Sequence, residues 1–389
     1  MIDPRWFEPG TSARNVARAI VLVGAVAVAA GIALDPQRTW PELLLNGFYL
    51  MATALAGIVF ISLQYLSGAS WSAGMRRIPE AMMSALPIAA VLMLSLFFGR
   101  AWIYPASQAG AHAAEPALAA RALYLSAPFF FGRMALFVIL WSVFAFLMRR
   151  TSVRQDDDPA PRHHRRMIRM SAAFTVVFAV SFSLASFDWI MTLNPHWTST
   201  IFAIYMFAGL LVQGVAAITL AVVLLRERGY LAGVVNENHL HDLGKLLFAF
   251  STFWAYIWVS QYLLIWYANL PEETTYYMNR TGEHWIVLFL LNVVVNWAIP
   301  FLVLLPRATK RNPSILKWVA IVILAGRWLD LYVTVMPQVM AAPDLRATDV
   351  LIAAGYAGAF FLVATRALAG VPLVPRNDPC LAESLSHRQ

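Results

Sequence analysis

The chain has 389 residues, 60% of them hydrophobic and only 13% charged, with a mean hydropathy of +0.63. An ordinary soluble domain carries about 25% charged residues, so this composition excludes a soluble globular protein and describes one built for a bilayer. The net charge of +8 does not mark a nucleic-acid binder, because much of it sits in one short loop, "RRTSVRQDDDPAPRHHRR"; membrane lipid with anionic headgroups is the expected partner, and no nucleic acid.

Ten apolar runs are long enough, at about 1.5 Å per residue, to cross a hydrocarbon core of about 30 Å. They cover 16–34, 43–66, 81–98, 128–148, 170–192, 200–225, 246–267, 285–305, 315–337 and 349–368. They predict an all-α integral membrane protein with ten transmembrane helices, a single polytopic domain over 1–389 whose loops leave no room for a soluble catalytic domain. The first run follows Arg14 and Arg18, so a cleaved signal segment is one reading. Its length favours a retained helix. Of the 29 Lys and Arg, 22 fall in the two tails and in the loops after runs two, four, six and eight; five fall in the other loops, and Arg133 and Arg327 lie inside runs. Basic residues stay on the cytoplasmic side, so both termini are expected to be cytoplasmic.

Along the chain, Glu80 follows Pro79, Arg76 and Arg77 at the start of the third run, where it is expected to complement a helix dipole. Arg133 and Asp188 lie near the outer ends of the adjacent, antiparallel fourth and fifth runs, with His196 just beyond. They are expected to pair, as an interhelical clamp or as an outer-face quinone or proton site. Phe187, Trp189 and Trp197 are expected to form a flat apolar wall beside them.

The stretch "NENHLHDLGKLLF" places Glu237, His239, His241, Asp242 and Lys245 at the mouth of the seventh helix. Imidazole titrates near neutral pH, so a proton-collecting funnel is one reading; a metal site on His239, His241 and Asp242 is a second, and an N-terminus capped by Asp242 a third. Gln261 on the seventh run and Asn292 and Asn296 on the eighth continue the polar line, the last two sharing a face at a spacing of four. In "AGRWLDLYVTVMP", Arg327 and Asp330 are three apart, hence on one helix face, where a lone charge costs about 2.5–3.5 kcal/mol. Neutralising one another lowers that cost. Clamp and mid-membrane proton site are both open. The candidate proton path is therefore His239, His241, Asp242, Lys245, Gln261, Asn292, Asn296, Arg327 and Asp330.

"FDWIMTLNP" and "LDLYVTVMP" each put an aspartate seven residues before a proline. With the matching basic loops after runs four and eight, this predicts a parallel repeat: two four-helix bundles, helices 2–5 over 43–192 and helices 6–9 over 200–337, flanked by helices 1 and 10. Cys380 is the only cysteine, and the eight histidines avoid the middles of the runs. The chain is therefore expected to hold no metal, iron–sulfur cluster or haem itself.

The stretches "GASWSAGMRRIPEAM", "SLASFDWIMTLNPHW", "NENHLHDLGKLLFAFSTFWAYIWVSQYLLIWYANLPEET", "LLPRATKRNP" and "GRWLDLYVTVMP" closely resemble the ActF family, NrfD-like membrane subunits of bacterial Alternative Complex III. The likeness spans residues 68–337; the tails and the segment from Arg100 to Arg121 do not share it. It implies a quinol:electron-acceptor oxidoreductase of the bacterial inner membrane. The expected partners are an NrfD-like ActC paralogue, an iron–sulfur subunit, and multihaem and monohaem cytochrome c subunits. Iron–sulfur clusters and c-type haems would sit on those partners, with quinol as a candidate ligand here. Because the ActC paralogue is regarded as the copy facing the cluster, this chain is expected to scaffold the complex and offer a proton route. A secondary transporter with a proton-coupled intramembrane site is the rival from another class.

Overall fold

A computed structural model describes residues 6–104 and 122–388. His112 and Arg121 lie outside them. Among the described residues ten helices are long and apolar enough to cross a membrane: α1 (Thr11–Leu34), α2 (Pro36–Leu66), α3 (Arg77–Ile103), α4 (Ala127–Gln155), α5 (Arg162–Leu193), α6 (Phe202–Glu227), α7 (Glu237–Ala268), α8 (Ile286–Leu304), α9 (Pro313–Gln338) and α10 (Ala347–Ala369). The chain is a multi-pass, all-helical membrane protein. An isolated bridge between Trp6 and Pro372 brings both ends of the chain to one face, here the termini face; the other is the far face.

Helix starts follow local chemistry more than hydropathy. The Asp35 side chain accepts from Arg38 N (3.4 Å) ahead of Pro36, and the Asn312 side chain accepts from Ser314 N (2.9 Å) and Ile315 N (3.2 Å) ahead of Pro313. An acceptor at the cap followed by proline at the first helical position satisfies amides that the helix itself leaves unpaired. A side-chain cap without the proline extends α7 to Glu237, nine residues before its apolar run. Asn236 accepts from Asn238 N (2.9 Å) and His239 N (3.2 Å), and His239 Nδ1 accepts from Asn236 N (3.2 Å). The cap is thus Asn236, and Asp242 lies inside the helix, correcting the expectation that Asp242 caps it.

α2 is buried along almost its whole length, and α6 and α9 along most of theirs. α2 packs on α3 and α5, α3 on α4, and α4 on α5; α6 packs on α7 and α9, α7 on α8, and α8 on α9. α2 and α6 meet between the two sets. α1 pairs with α10, and both rest on α2. The α1–α10 approach depends on two glycines, since a Cβ on Gly24 would stand 2.6 Å from Gly355 Cα. Without a hydrophobic drive between helices in lipid, such close backbone contact supplies much of the attraction.

Candidate functional site

The polar residues of the second four-helix set converge on Asp330. Its carboxylate pairs with Arg327 one turn earlier and accepts from the Tyr205 hydroxyl on α6 and from Asn292 Nδ2 on α8 (2.6 Å). Asn296 Nδ2 donates to Asn292 Oδ1 (2.7 Å) and to Gly326 O (2.9 Å), which ties α8 to α9. Arg327, Asp330, Asn292 and Asn296 are all buried. Three donors on one carboxylate fix its position, so the cluster joins three helices through a single side chain. Gly209 makes room for it, because a Cβ there would stand 2.1 Å from Arg327 Nη2. Around Asn296 the helix opens into a π-helical turn, Val294–Ala298. Pro300 explains this, since its ring crowds the carbonyl four residues back and cannot donate to it.

The first set has a counterpart. Asp188 on α5 accepts from Arg133 Nε on α4 (2.9 Å) and from the Tyr124 hydroxyl (2.7 Å). Arg133 also lies over the Tyr124 ring, 3.8 Å from its centroid. Burial and the adjacent carboxylate push the Tyr124 phenol up to about 12. Each set therefore holds one aspartate between an arginine and a tyrosine, but the arginine comes from the neighbouring helix in one and from the same helix in the other.

His196 is exposed in the turn after α5, while the bonds of Asp188 go to Arg133 and Tyr124. The expected aromatic wall does not form. Trp189 is buried against Phe48 and Trp141, whereas Trp197 is buried against Phe202 and stacks on Tyr276 at 3.9 Å. The two indoles pack on different aromatic partners because α5 ends between them.

On the termini face, Asp242 lies between Lys245 Nζ (2.6 Å) and His387 Nε2 (2.6 Å), and His239 is fully buried. His239 engages both ring nitrogens: Nδ1 accepts from Asn236 N (3.2 Å), which leaves the proton on Nε2, 3.4 Å from Ser384 Oγ. His241 is buried one residue before Asp242. A proton-collecting funnel was one reading of this stretch; the C-terminal segment lies over it. Ser384 Oγ donates to Trp71 O (2.7 Å), and Asn236 Nδ2 donates to His387 O (3.0 Å). Farther back, Arg376 N donates to Asp156 Oδ1 (3.0 Å), and Asp378 pairs with Arg76. The tail is thus strapped across both sets. Between this group and Asn296, α7 buries Leu247 and Ser251, and Ser251 donates to its own helix at Phe248 O (3.0 Å), so the polar line thins there.

Several charged residues acquire partners that sequence spacing does not reveal. Glu80 does more than complement a dipole: with Asp156 and Ser152 it surrounds the buried Arg77, Glu80 Oε2 at 2.5 Å and Ser152 Oγ at 3.0 Å. On the far face Arg38 gathers Glu42 (2.9 Å), Asp344 (2.9 Å) and Asp349. Arg280, counted above as a loop cation, is fully buried on a short helix, Pro271–Thr281. It donates to Val333 O (3.0 Å), Tyr276 O (2.6 Å) and Thr334 O (2.6 Å). The one usable signal for it was "YYMNR", which sets Tyr276 and Arg280 one helical turn apart.

Gln261, Asn292, Asp330 and Arg280 line a common cavity of about 20 Å³. Gln261 is buried, and its Oε1 has no hydrogen-bond partner among the described residues. Gln261, Asn292, Asn296, Arg327 and Asp330 are thus brought together, with His239, His241, Asp242 and Lys245 in a separate group and Arg133 and Asp188 in a third. A scan against protein-family models gives no match for the chain, and a search of the curated proteins gives none.

Proposed function

We propose that this chain is an NrfD-like membrane subunit, of the ActF type, in a respiratory quinol:electron-acceptor oxidoreductase of the Alternative Complex III kind. It lies in a bacterial inner membrane with both termini cytoplasmic, scaffolds the complex and offers a proton route, while partner subunits carry the iron–sulfur clusters and c-type haems. The observation that carries this reading is the aspartate held between an arginine and a tyrosine in each set of four helices. Ionisable residues within a membrane usually line a path or pair across helices, and these do the second while standing where the first would need them. The packing of α2–α5 and of α6–α9 supports an NrfD-like pair of bundles, as do the long sequence stretches shared with that family. The excess of Lys and Arg in the termini-face loops supports the orientation.

Affinity purification of the tagged chain from its native membranes in mild detergent tests the reading. Co-purification with c-type haem and inhibitor-sensitive quinol:cytochrome c activity is the expected result. A solitary, colourless chain from membranes whose respiratory complexes survive the procedure would remove the reading and favour the secondary transporter.

The proton route has its own test, because Asn keeps the shape of Asp without its titratable proton. Complexes carrying Asp188→Asn or Asp330→Asn are expected to release fewer protons per electron. Unchanged turnover and unchanged stoichiometry in both would leave only the scaffold.

A further inference from the structure

Arg280 poses a problem of charge. Its side chain is buried at 2% exposure, and among the described residues no carboxylate touches it; its three hydrogen bonds all go to backbone carbonyls. Burial holds its guanidinium below the ordinary arginine range. A buried cation without an anion is costly, and carbonyl dipoles together with the Tyr276 ring, whose centroid lies 3.4 Å from the guanidinium carbon, offset only part of that. A guanidinium has five N–H donors, so two remain after these three bonds.

The cavity beside it supplies the missing partner. Its volume of about 20 Å³ exceeds the roughly 10–15 Å³ that one water needs. Gln261 Oε1 is buried and unpartnered on its wall, and Asp330, whose carboxylate has lone pairs beyond its three donors, forms another part of the wall. A buried water makes about three hydrogen bonds. Here the count closes: it accepts from a spare N–H of Arg280, and its two hydrogens go to Gln261 Oε1 and to the Asp330 carboxylate.

We propose that this cavity holds one ordered water, which makes Arg280 and Asp330 a water-separated ion pair and couples the far-face helix Pro271–Thr281 to α7 and α9. The site explains both the cation that no carboxylate touches and the unpartnered amide oxygen, and it leaves Asp330 one hydrogen bond away from an exchangeable proton. It does not rest on the respiratory reading above, because its test detects water whatever the chain does.

Synchrotron hydroxyl-radical footprinting with mass spectrometry, on the full-length chain in lipid nanodiscs, provides that test. Radiolysis of an ordered water oxidises the side chains beside it even where bulk solvent is excluded. Tyr205 and Tyr276 line the cavity, whereas Tyr65 does not, and their exposures are matched at 5%, 6% and 5%. Tyr205 and Tyr276 are expected to oxidise severalfold faster than Tyr65, and Gln261→Leu should bring them down to the Tyr65 rate. Equal rates for the three tyrosines in the native chain would overturn the site, and that comparison stands even if the variant does not fold. Fast oxidation that Gln261→Leu leaves unchanged would overturn the assigned hydrogen bonding.

Discussion

Arg327→Met is expected to destabilise the protein by about 3–5 kcal/mol, the cost of leaving one partner of a buried ion pair without the other. Methionine replaces the stem without the charge, so the loss comes from Asp330, which keeps Tyr205 and Asn292 as donors but loses its counter-ion. In lipid bulk water does not reach the abandoned carboxylate, and one ordered water with Arg280 beyond it offsets only part of the lost direct contact. The double substitution Arg327→Met with Asp330→Leu should recover most of the loss, because removing both charges removes the desolvation term as well. Reversible unfolding in mixed micelles measures both. A single-variant cost below about 1 kcal/mol would mean that the pair is solvated and that the cluster is not a clamp.

Arg77→Met should cost at least as much, since it abandons two carboxylates instead of one. Glu80 and Asp156 both face the Arg77 guanidinium, and without it two like charges share a buried site. The loss should spread to the tail, because Asp156 also accepts from Arg376 N. Hydrogen exchange at Arg376–Asp378 is expected to accelerate in the variant, and unchanged exchange there would show that the tail is anchored independently.

Acid should partly rescue Arg77→Met. In the native chain burial already holds Asp156 above its ordinary 3.8, against the opposing pull of Arg77. A carboxyl raised in the folded state favours folding most below its unfolded pKa, and that contribution is lost as pH rises through the folded value. Without Arg77 the raised value climbs further, so the stability gap between variant and native chain should narrow as the pH falls towards 4.

Short-range features were the legible ones. Asn292 and Asn296 at a spacing of four, and Arg327 and Asp330 at a spacing of three, had to share helix faces whatever the tertiary arrangement. The pairing of Arg133 with Asp188 was readable for a related reason, since consecutive membrane helices are antiparallel and put their outer ends side by side. The start of α7 was missed because hydropathy marks where the apolar run begins, while the Asn236 capping box sets where the helix begins. The aromatic wall failed because adjacency in sequence does not keep Trp189 and Trp197 together once α5 ends between them.

Composition and hydropathy determined that this chain is a ten-helix membrane protein, and helical periodicity determined which of its buried polar residues share a face, because both properties are set within a few turns of chain. Only the tertiary structure decided that Tyr205 completes the site at Asp330, that Arg280 and Gln261 open onto one cavity, and that His387 reaches Asp242 from 145 residues away. Those contacts join separate helices, and their distances follow from how side chains fill the space between helices, which no spacing along the chain encodes.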